Sequence, residues 1–190
     1  MKILKISGII LLGFIAVIIV LGLVSPNNFM VERSVVIPTT NKEVIFKNVS
    51  VWKDFLKWNP WIAKYPDQKI TFKGDEGKVG SGYRWEGNDD AGKGEMSLAG
   101  LKPYERVDMD LHFIEPWEST NKTVFTIDPE RAGYKVNWQM SGSSSFPLNI
   151  MHLFMDKMIG PDFERGLKKL KEKVLKEEAL SVKTTTDGIN

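Results

Sequence analysis

The sequence predicts an α+β domain in which a curved antiparallel sheet of about seven strands wraps around a long C-terminal helix, with one transmembrane helix in front. Three observations predict it. Residues 6–24 carry no charge and are rich in Ile, Leu and Val. Between residues 68 and 140, apolar and polar side chains alternate with a period of two, as in strands with one buried face. After residue 160 the period becomes that of an amphipathic helix.

The uncharged run Ile6–Val24 is long enough, at about 1.5 Å per residue, to cross the hydrocarbon core of a bilayer. Lys2 and Lys5 precede it and no charge directly follows it, which places the N-terminus in the cytoplasm and the domain outside. The alternative is a cleaved secretory signal, but Leu23-Val24-Ser25-Pro26 is not a small-residue cleavage site. We therefore predict that residues 1–25 are a signal anchor of a single-pass membrane protein, and either interpretation exports the domain.

The charges of the exported part cancel. The chain has 26 basic and 24 acidic residues, and Lys2 and Lys5 belong to the anchor, which leaves 24 of each. A nucleic-acid partner is not expected, because no uninterrupted basic stripe is present. The absence of cysteine excludes disulfides, thiolate catalysis and thiolate metal sites, so the core alone must stabilise the exported domain.

The exported part begins with a predicted strand at residues 30–37, which Pro38 ends. Thr40-Asn41-Lys42-Glu43 matches a capping box at the start of a first helix. A second short helix is predicted from Trp52 to Trp58, where Asn59-Pro60 stops it. Six alternating strands separated by Gly-rich turns follow, so the sheet has one strand before the helices and six after them.

Only the last helix is long and one-sided enough to cover that sheet. Gly160-Pro161 predicts its start, with the proline at the first helical position, and Phe163 and Leu167 begin its apolar face. Residues 179–190 show no periodicity and are predicted to be a flexible tail, which gives a folded domain at residues 26–178.

At this level the chain resembles the helix-grip (SRPBCC) superfamily, which contains the START lipid-transfer domains, the birch-pollen-allergen-like proteins and the polyketide cyclase/dehydrase-type proteins. It is similar in particular to bacterial members with an N-terminal membrane helix. The resemblance covers about residues 29–175 and is carried by Pro38 after the first strand and by four segments: Trp58-Asn59-Pro60-Trp61, residues 80–88, residues 92–96 and residues 154–160. The resemblance implies a hydrophobic cavity between the sheet and the long helix. It implies no shared catalytic motif and no cofactor.

The side chains expected to line such a cavity are mostly aromatic residues and methionines, which give an adaptable apolar surface. They are Trp58, Trp61, Phe72, Tyr83, Trp85, Met96, Met109, Phe113, Phe125, Trp138, Met140, Phe163 and Leu167. From the alternation alone the same residues would fill an ordinary core. The segment from Trp58 to Trp61 is equally consistent with a gate at one end of the cavity and with a turn held by aromatic packing.

Few side chains suggest catalysis or metal binding. Glu86, Glu95 and Tyr83 are the candidates for acid–base or hydrogen-bonding chemistry, although the alternation directs both carboxylates away from the cavity. His112 and His152 lack acidic partners at ligand spacing, so no metal site is predicted.

Residues 87–94 match the G-x-x-x-x-G-K pattern of phosphate-binding loops. Gly94 stands where such a loop has Ser or Thr, and the segment joins two strands instead of opening a helix. A hairpin turn accounts for it.

Three functions follow from the sequence. The first is membrane-anchored binding or transport of a lipid or other apolar small molecule in the cavity, without catalysis. The second is a cyclase or hydrolase that uses the same cavity through Tyr83 and an inward carboxylate. The third is a structural or interaction module whose cavity has collapsed and whose surface carries a large apolar patch.

Overall fold

The computed structural model describes residues 2–187, with side chains from residue 6 to residue 181. Its elements follow the predicted order, with an additional short helix at residues 60–64 and a 3₁₀ helix at residues 148–153. The helices are α1 (Lys2–Val24), α2 (Lys42–Ser50), α3 (Trp52–Trp58), α4 (Pro60–Lys64), a 3₁₀ helix (Leu148–Leu153) and α5 (Met155–Asp187). The strands are β1 (Asn28–Ile37), β2 (Lys69–Lys73), β3 (Gly82–Glu86), β4 (Lys93–Lys102), β5 (Arg106–Glu115), β6 (Ser119–Glu130) and β7 (Gly133–Ser143).

The seven strands form one antiparallel sheet in the order β1-β7-β6-β5-β4-β3-β2, so the predicted sheet is confirmed. Its register defines two ends. At the end that we call the α1 end, Asn28 pairs with Ser143, and Phe113 pairs with Ser119. Strand β1 begins there immediately after α1, which therefore joins the domain at this end. The far end carries the β4–β5 turn, residues 102–106.

Helix α5 covers the concave face of the sheet, as predicted. Its side chains Phe163, Leu167, Leu170 and Val174 are all buried. The Phe163 ring stacks on the Trp138 ring of β7, with 4.1 Å between centroids and 6° between planes. Aromatic stacking of this kind adds to the area buried, so this contact is central to the attachment of α5.

Ion pairs hold both halves of α5 to the rest of the domain. Near its start, Arg33 of β1 lies 2.8 Å from Asp156 and 2.8 Å from Glu164. Further along, the Lys173 ammonium donates hydrogen bonds to Asn48 on α2 and to Asp54 on α3. The second cluster is largely screened from solvent, because the Asp54 side chain is only 9% exposed.

This cluster predicts a loss of stability in acid. Burial raises the pKa of Asp54, but the hydrogen bond from Lys57 and the charges of Lys173 and Lys47 outweigh it, so the pKa lies below its usual value. A carboxyl with a lowered folded-state pKa stabilises the fold above its unfolded pKa of about 4, and this contribution is lost as pH falls through the folded value. Urea unfolding at pH 7 and pH 3 should show that Asp54→Asn loses about 1–2 kcal/mol at pH 7 and has a weaker acid response than wild type. The control variant Asp89→Asn, at an exposed position, should match the stability of wild type at both pH values. An unchanged acid response in Asp54→Asn would contradict the role of Asp54 in the acid destabilisation.

The structure corrects three predicted boundaries. Helix α2 is capped by Asn41, whose side chain accepts hydrogen bonds from the backbone of Glu43 and Val44, so Thr40 is not the cap. Pro161 lies inside α5 and not at its first position. The helix begins earlier because the apolar side chains of residues 155 and 159 pack against the core. The stabilisation from this packing outweighs the loss of the one helical hydrogen bond that proline cannot donate.

The third correction concerns the C-terminal segment. Helix α5 continues to Asp187, so residues 179–187 are helical where the sequence predicts a flexible tail, and residues 188–190 lie outside the described residues. Residues 179–187 contain no glycine or proline that would end the helix, and the first glycine after them is Gly188. The backbone therefore stays helical after the apolar periodicity has ended.

Candidate functional site

A cavity of about 410 Å³ lies between the sheet, α5, α4 and the 3₁₀ helix, and it opens at the α1 end of the sheet. This volume is in the usual range of small-molecule sites. The sheet supplies its floor through inward side chains of β3 to β7, and α5 supplies its roof through Met155, Ile159 and Phe163. The lining is predominantly apolar, as in sites for hydrophobic ligands.

Eight of the thirteen residues predicted to line a cavity do line it. They are Trp61, Tyr83, Trp85, Met96, Phe113, Trp138, Met140 and Phe163. Six of them alternate along β3, β4, β5 and β7, because every second side chain of a strand faces the same side of the sheet.

The other five predicted lining residues lie elsewhere. Trp58, Met109, Phe125 and Leu167 are buried in solid core beyond the closed end of the cavity. Phe72 is 47% exposed on the edge strand β2. The core is filled there by aromatic rings that contact one another, for example Trp58 with Phe125 at 5.9 Å between centroids. The cavity therefore occupies only the half of the interior nearer to α1.

The segment from Trp58 to Trp61 divides between these two regions. Trp58 is 1% exposed and its indole N–H donates to the Asn48 carbonyl at 2.9 Å. Trp61 is half-buried on α4 and packs edge-on against Trp138 and Phe163. Of the two sequence interpretations, aromatic packing describes Trp58, whereas Asn59 and Trp61 border the cavity.

Sequence reasoning missed the mouth of the cavity. It is built by Trp117 of the β5–β6 loop and by Leu148, Met151 and His152 of the 3₁₀ helix. Neither segment has a regular period, so no periodicity could assign a facing direction. The signal that could have identified the mouth was composition. The residues around 150–154 form a short apolar stretch, to which no surface to pack against was assigned from the sequence.

Polar groups in the wall are few. The Tyr83 hydroxyl is buried, 3.7 Å from the Met96 sulfur, and burial raises its pKa well above the usual value, so the group remains a neutral donor. Among the described residues, the buried indole N–H of Trp138 has no hydrogen-bond partner. Asn121 and Thr123 of β6 add two buried polar side chains to the lining.

The carboxylates proposed for catalysis lie outside the cavity. Glu86 is exposed, and Glu95 pairs with Arg84 at 3.3 Å on the outer face of the sheet. His112, also on that face, lies 3.3 Å from Glu118. Within the described part of the chain, no group of three or more His, Cys, Asp or Glu side chains is placed to hold a metal ion. Of the three catalytic candidates, only Tyr83 therefore faces the cavity.

The G-x-x-x-x-G-K match lies in the turn between β3 and β4, as its hairpin interpretation requires. The Gly87 N–H donates to the Gly92 carbonyl at 2.9 Å, and Gly92 has a φ of +63° that favours glycine. This segment closes a hairpin and opens no helix.

The cavity mouth is joined to the end of α1 by buried hydrogen bonds. The Asn149 amide donates to the Gly22 carbonyl at 2.8 Å and to the Ser25 carbonyl at 3.2 Å. His152 lies 2.9 Å from the Pro26 carbonyl and 2.9 Å from the Ser144 hydroxyl. The 3₁₀ helix that borders the cavity therefore also fixes where α1 leaves the domain.

No protein-family model matches the sequence, and no curated protein is similar to it in sequence. Solved structures are similar in fold. The di-domain ARO/CYC StfQ from the steffimycin biosynthetic pathway matches with a TM-score of 0.58 and 7% identity over 80% of this chain and 52% of its own, so the chain spans about half of that protein.

Two further structures match over almost their whole length. A putative uncharacterized protein from Rhizobium leguminosarum has a TM-score of 0.55 and 13% identity over 78% of this chain and 95% of its own. Major latex-like protein 151 from Panax ginseng has a TM-score of 0.51 and 11% identity over 79% of this chain and 99% of its own. At these identities the likeness concerns the fold alone, and the chain has the helix-grip fold that the sequence predicts.

Proposed function

We propose that this protein is a membrane-anchored binding domain that takes up a lipid or another apolar small molecule in the cavity beneath α5. One observation carries the proposal: an apolar space of about 410 Å³ stays open in an interior that is otherwise close-packed. The helix-grip fold is in general compatible with the binding of hydrophobic small molecules.

The lining selects the chemistry of the ligand. Aromatic and thioether side chains form the floor, so the body of the ligand is apolar and its shape is loosely specified. Ser119, Ser144 and His152 border the cavity near its mouth. We infer a ligand with an apolar body in the closed end and a polar group at the mouth, such as an acyl chain with its carboxyl or ester.

The anchor is α1. Its segment Ile6–Val24 is long and apolar enough to cross a membrane, and only 6% of it is buried in the protein. A cleaved signal would pass the same test, but cleavage after this segment would remove the Gly22 carbonyl to which the buried Asn149 side chain donates. This contact supports an uncleaved anchor, and the charge asymmetry from Lys2 and Lys5 supports a domain on the extracytoplasmic side.

The two competing functions receive less support. A collapsed interaction module needs a filled interior, whereas the half of the interior next to α1 is open. A cyclase or hydrolase needs an acid or base facing the ligand body; the carboxylates Glu86 and Glu95 lie on the outside, and the acid–base side chains Glu118 and His152 border the cavity only near its mouth.

The proposal is tested on the full-length protein. Native mass spectrometry after release from detergent micelles should show one bound apolar molecule per chain, identified by solvent extraction. Titration of amphipol-held protein with the fluorescent fatty acid cis-parinaric acid should saturate at one site and be reversed by oleic acid. Apoprotein mass alone, together with no saturable component in the titration, would contradict the proposal.

A further inference from the structure

We propose that the mouth of the cavity is inserted in the membrane interface beside α1, so that the ligand passes between the bilayer and the cavity without crossing water. The inserted surface is an apolar rim of six side chains, namely Trp117, Phe146, Leu148, Met151, Phe154 and Met158. This inference rests on the proposed function, because it assumes that α1 spans the bilayer and that the cavity binds an apolar ligand.

The rim is exposed and clustered. Its side chains are between 44% and 69% exposed, with Trp117 the most accessible. Single exposed apolar residues are normal on protein surfaces, but a cluster around one opening marks an interaction surface. Leu148, Met151 and Trp117 line the cavity as well, so the inner wall of the cavity continues directly into the rim.

The contacts to α1 set the depth of the rim. The Phe146 ring packs directly against Gly22, where an added Cβ would have no room. Gly22 lies two residues before Val24, the end of the apolar span, which at 1.5 Å per residue is about 3 Å inside that end. Together with the Asn149 hydrogen bonds, this contact holds the rim at the level where α1 leaves the bilayer.

The charge pattern is compatible with insertion. Residues 141–155, which include the 3₁₀ helix and most of the rim, contain no Asp, Glu, Lys or Arg. Burying residues 141–155 in the interface therefore carries no charge-transfer cost. The charged neighbours of the other two rim residues, Glu118 beside Trp117 and Asp156 and Lys157 beside Met158, are exposed and can stay among the lipid headgroups. At the far end, the β4–β5 turn itself carries Lys102, Glu105 and Arg106.

Lipid is the occupant that these observations select. A protein partner would have to reach a surface already held at the bilayer by α1, whereas lipid is present there at high concentration. Trp117 suits that location because tryptophan is enriched at the membrane interface, and Phe154 adds apolar area of the kind that interfacial surfaces bury there. The rim would thus take the ligand directly from the leaflet from which α1 emerges.

The absence of cysteine makes a direct depth measurement practical. Full-length Trp117→Cys and Phe154→Cys, each labelled with the environment-sensitive dye NBD, would be placed in phosphatidylcholine nanodiscs containing doxyl-labelled lipid. We expect both probes to be quenched, and a probe at Glu105→Cys on the far end to be unaffected. Leu12→Cys, in the middle of α1, reports whether the helix spans the bilayer.

The outcomes separate this inference from the function on which it rests. Quenching at Leu12→Cys without quenching at the rim overturns rim insertion, while the anchored binding domain remains. Absence of quenching at all positions overturns the anchoring and the inference together. Rim quenching in a protein that binds no apolar ligand supports insertion and contradicts the proposed route for the ligand.

A transfer measurement adds a functional readout. The double variant Phe154→Ser/Met158→Ser should slow the transfer of cis-parinaric acid from vesicles to reconstituted protein by about tenfold, because two apolar side chains are lost from the interface. Its affinity for the same probe in amphipol should be unchanged. Phe72→Ser, which removes an exposed apolar side chain remote from the rim, is the matched control, and equal transfer rates for both variants would overturn the inference.

Discussion

Replacement of Trp138 by alanine should lower the free energy of unfolding by about 3–5 kcal/mol, the largest effect on stability that we expect from one substitution. The Trp138 ring is 2% exposed and lies between Phe163 at 4.1 Å and Phe125 at 5.1 Å, measured between ring centroids. Trp58 packs edge-on against it at 5.5 Å. Alanine would leave a void that joins the cavity to the aromatic core and would weaken the attachment of α5.

The matched control is the same substitution at an exposed tryptophan. Trp117→Ala removes a side chain that is 69% exposed, so its effect on unfolding should stay within about 0.5 kcal/mol. Both variants would be unfolded with urea in the same detergent, with circular dichroism as the readout. A loss below about 1 kcal/mol for Trp138→Ala would show that the stack is not a main stabilising contact.

The sheet and its covering helix could be predicted because their signals are local. A period of two identifies each strand, and the apolar face of α5 is visible in Phe163, Leu167, Leu170 and Val174, all of them buried. The pairing of β1 with β7 joins residues about 100 positions apart, for example Asn28 with Ser143. No local pattern in the sequence carries that information.

The cavity was predicted in kind but not in extent. Alternation tells only which face of the sheet a side chain occupies. The sequence could therefore not show that Met96 lines the cavity while Met109 does not. In the structure Met96 lines the cavity and Met109 is buried in solid core further along the sheet. Which of the two outcomes applies depends on the curvature of the sheet and on where the aromatic rings of α3 fill the interior.

The mouth was unpredictable for a different reason. The 3₁₀ helix takes its conformation from hydrogen bonds to distant residues, such as that from Asn149 to Gly22. An asparagine in an apolar stretch has no sequence pattern that identifies its partner. The same long-range contacts place the opening beside α1, so the relation between cavity and membrane segment emerges only in the folded chain.

Filling the cavity should abolish ligand binding without unfolding the protein. Leu111 is a partly buried side chain of β5 that lines the open space, so Leu111→Trp would place an indole where the ligand body is proposed to lie. We expect the affinity for cis-parinaric acid to fall by about 100-fold or more, since apolar contact is the main source of binding energy there. The added ring packs into existing space, so the urea midpoint should remain close to that of wild type.

Two further variants make this result specific. Ile159→Trp fills the same space from α5, and it provides an independent test if the substitution in the sheet perturbs folding. Asp110→Trp adds the same indole one residue from Leu111, but on the opposite face of β5, because successive strand residues point to opposite sides. Loss of binding in both cavity variants and retention in Asp110→Trp would localise the ligand beneath α5. Wild-type affinity in two stably folded cavity variants would instead mean that the apolar probe binds elsewhere, and the proposed function would have to be abandoned.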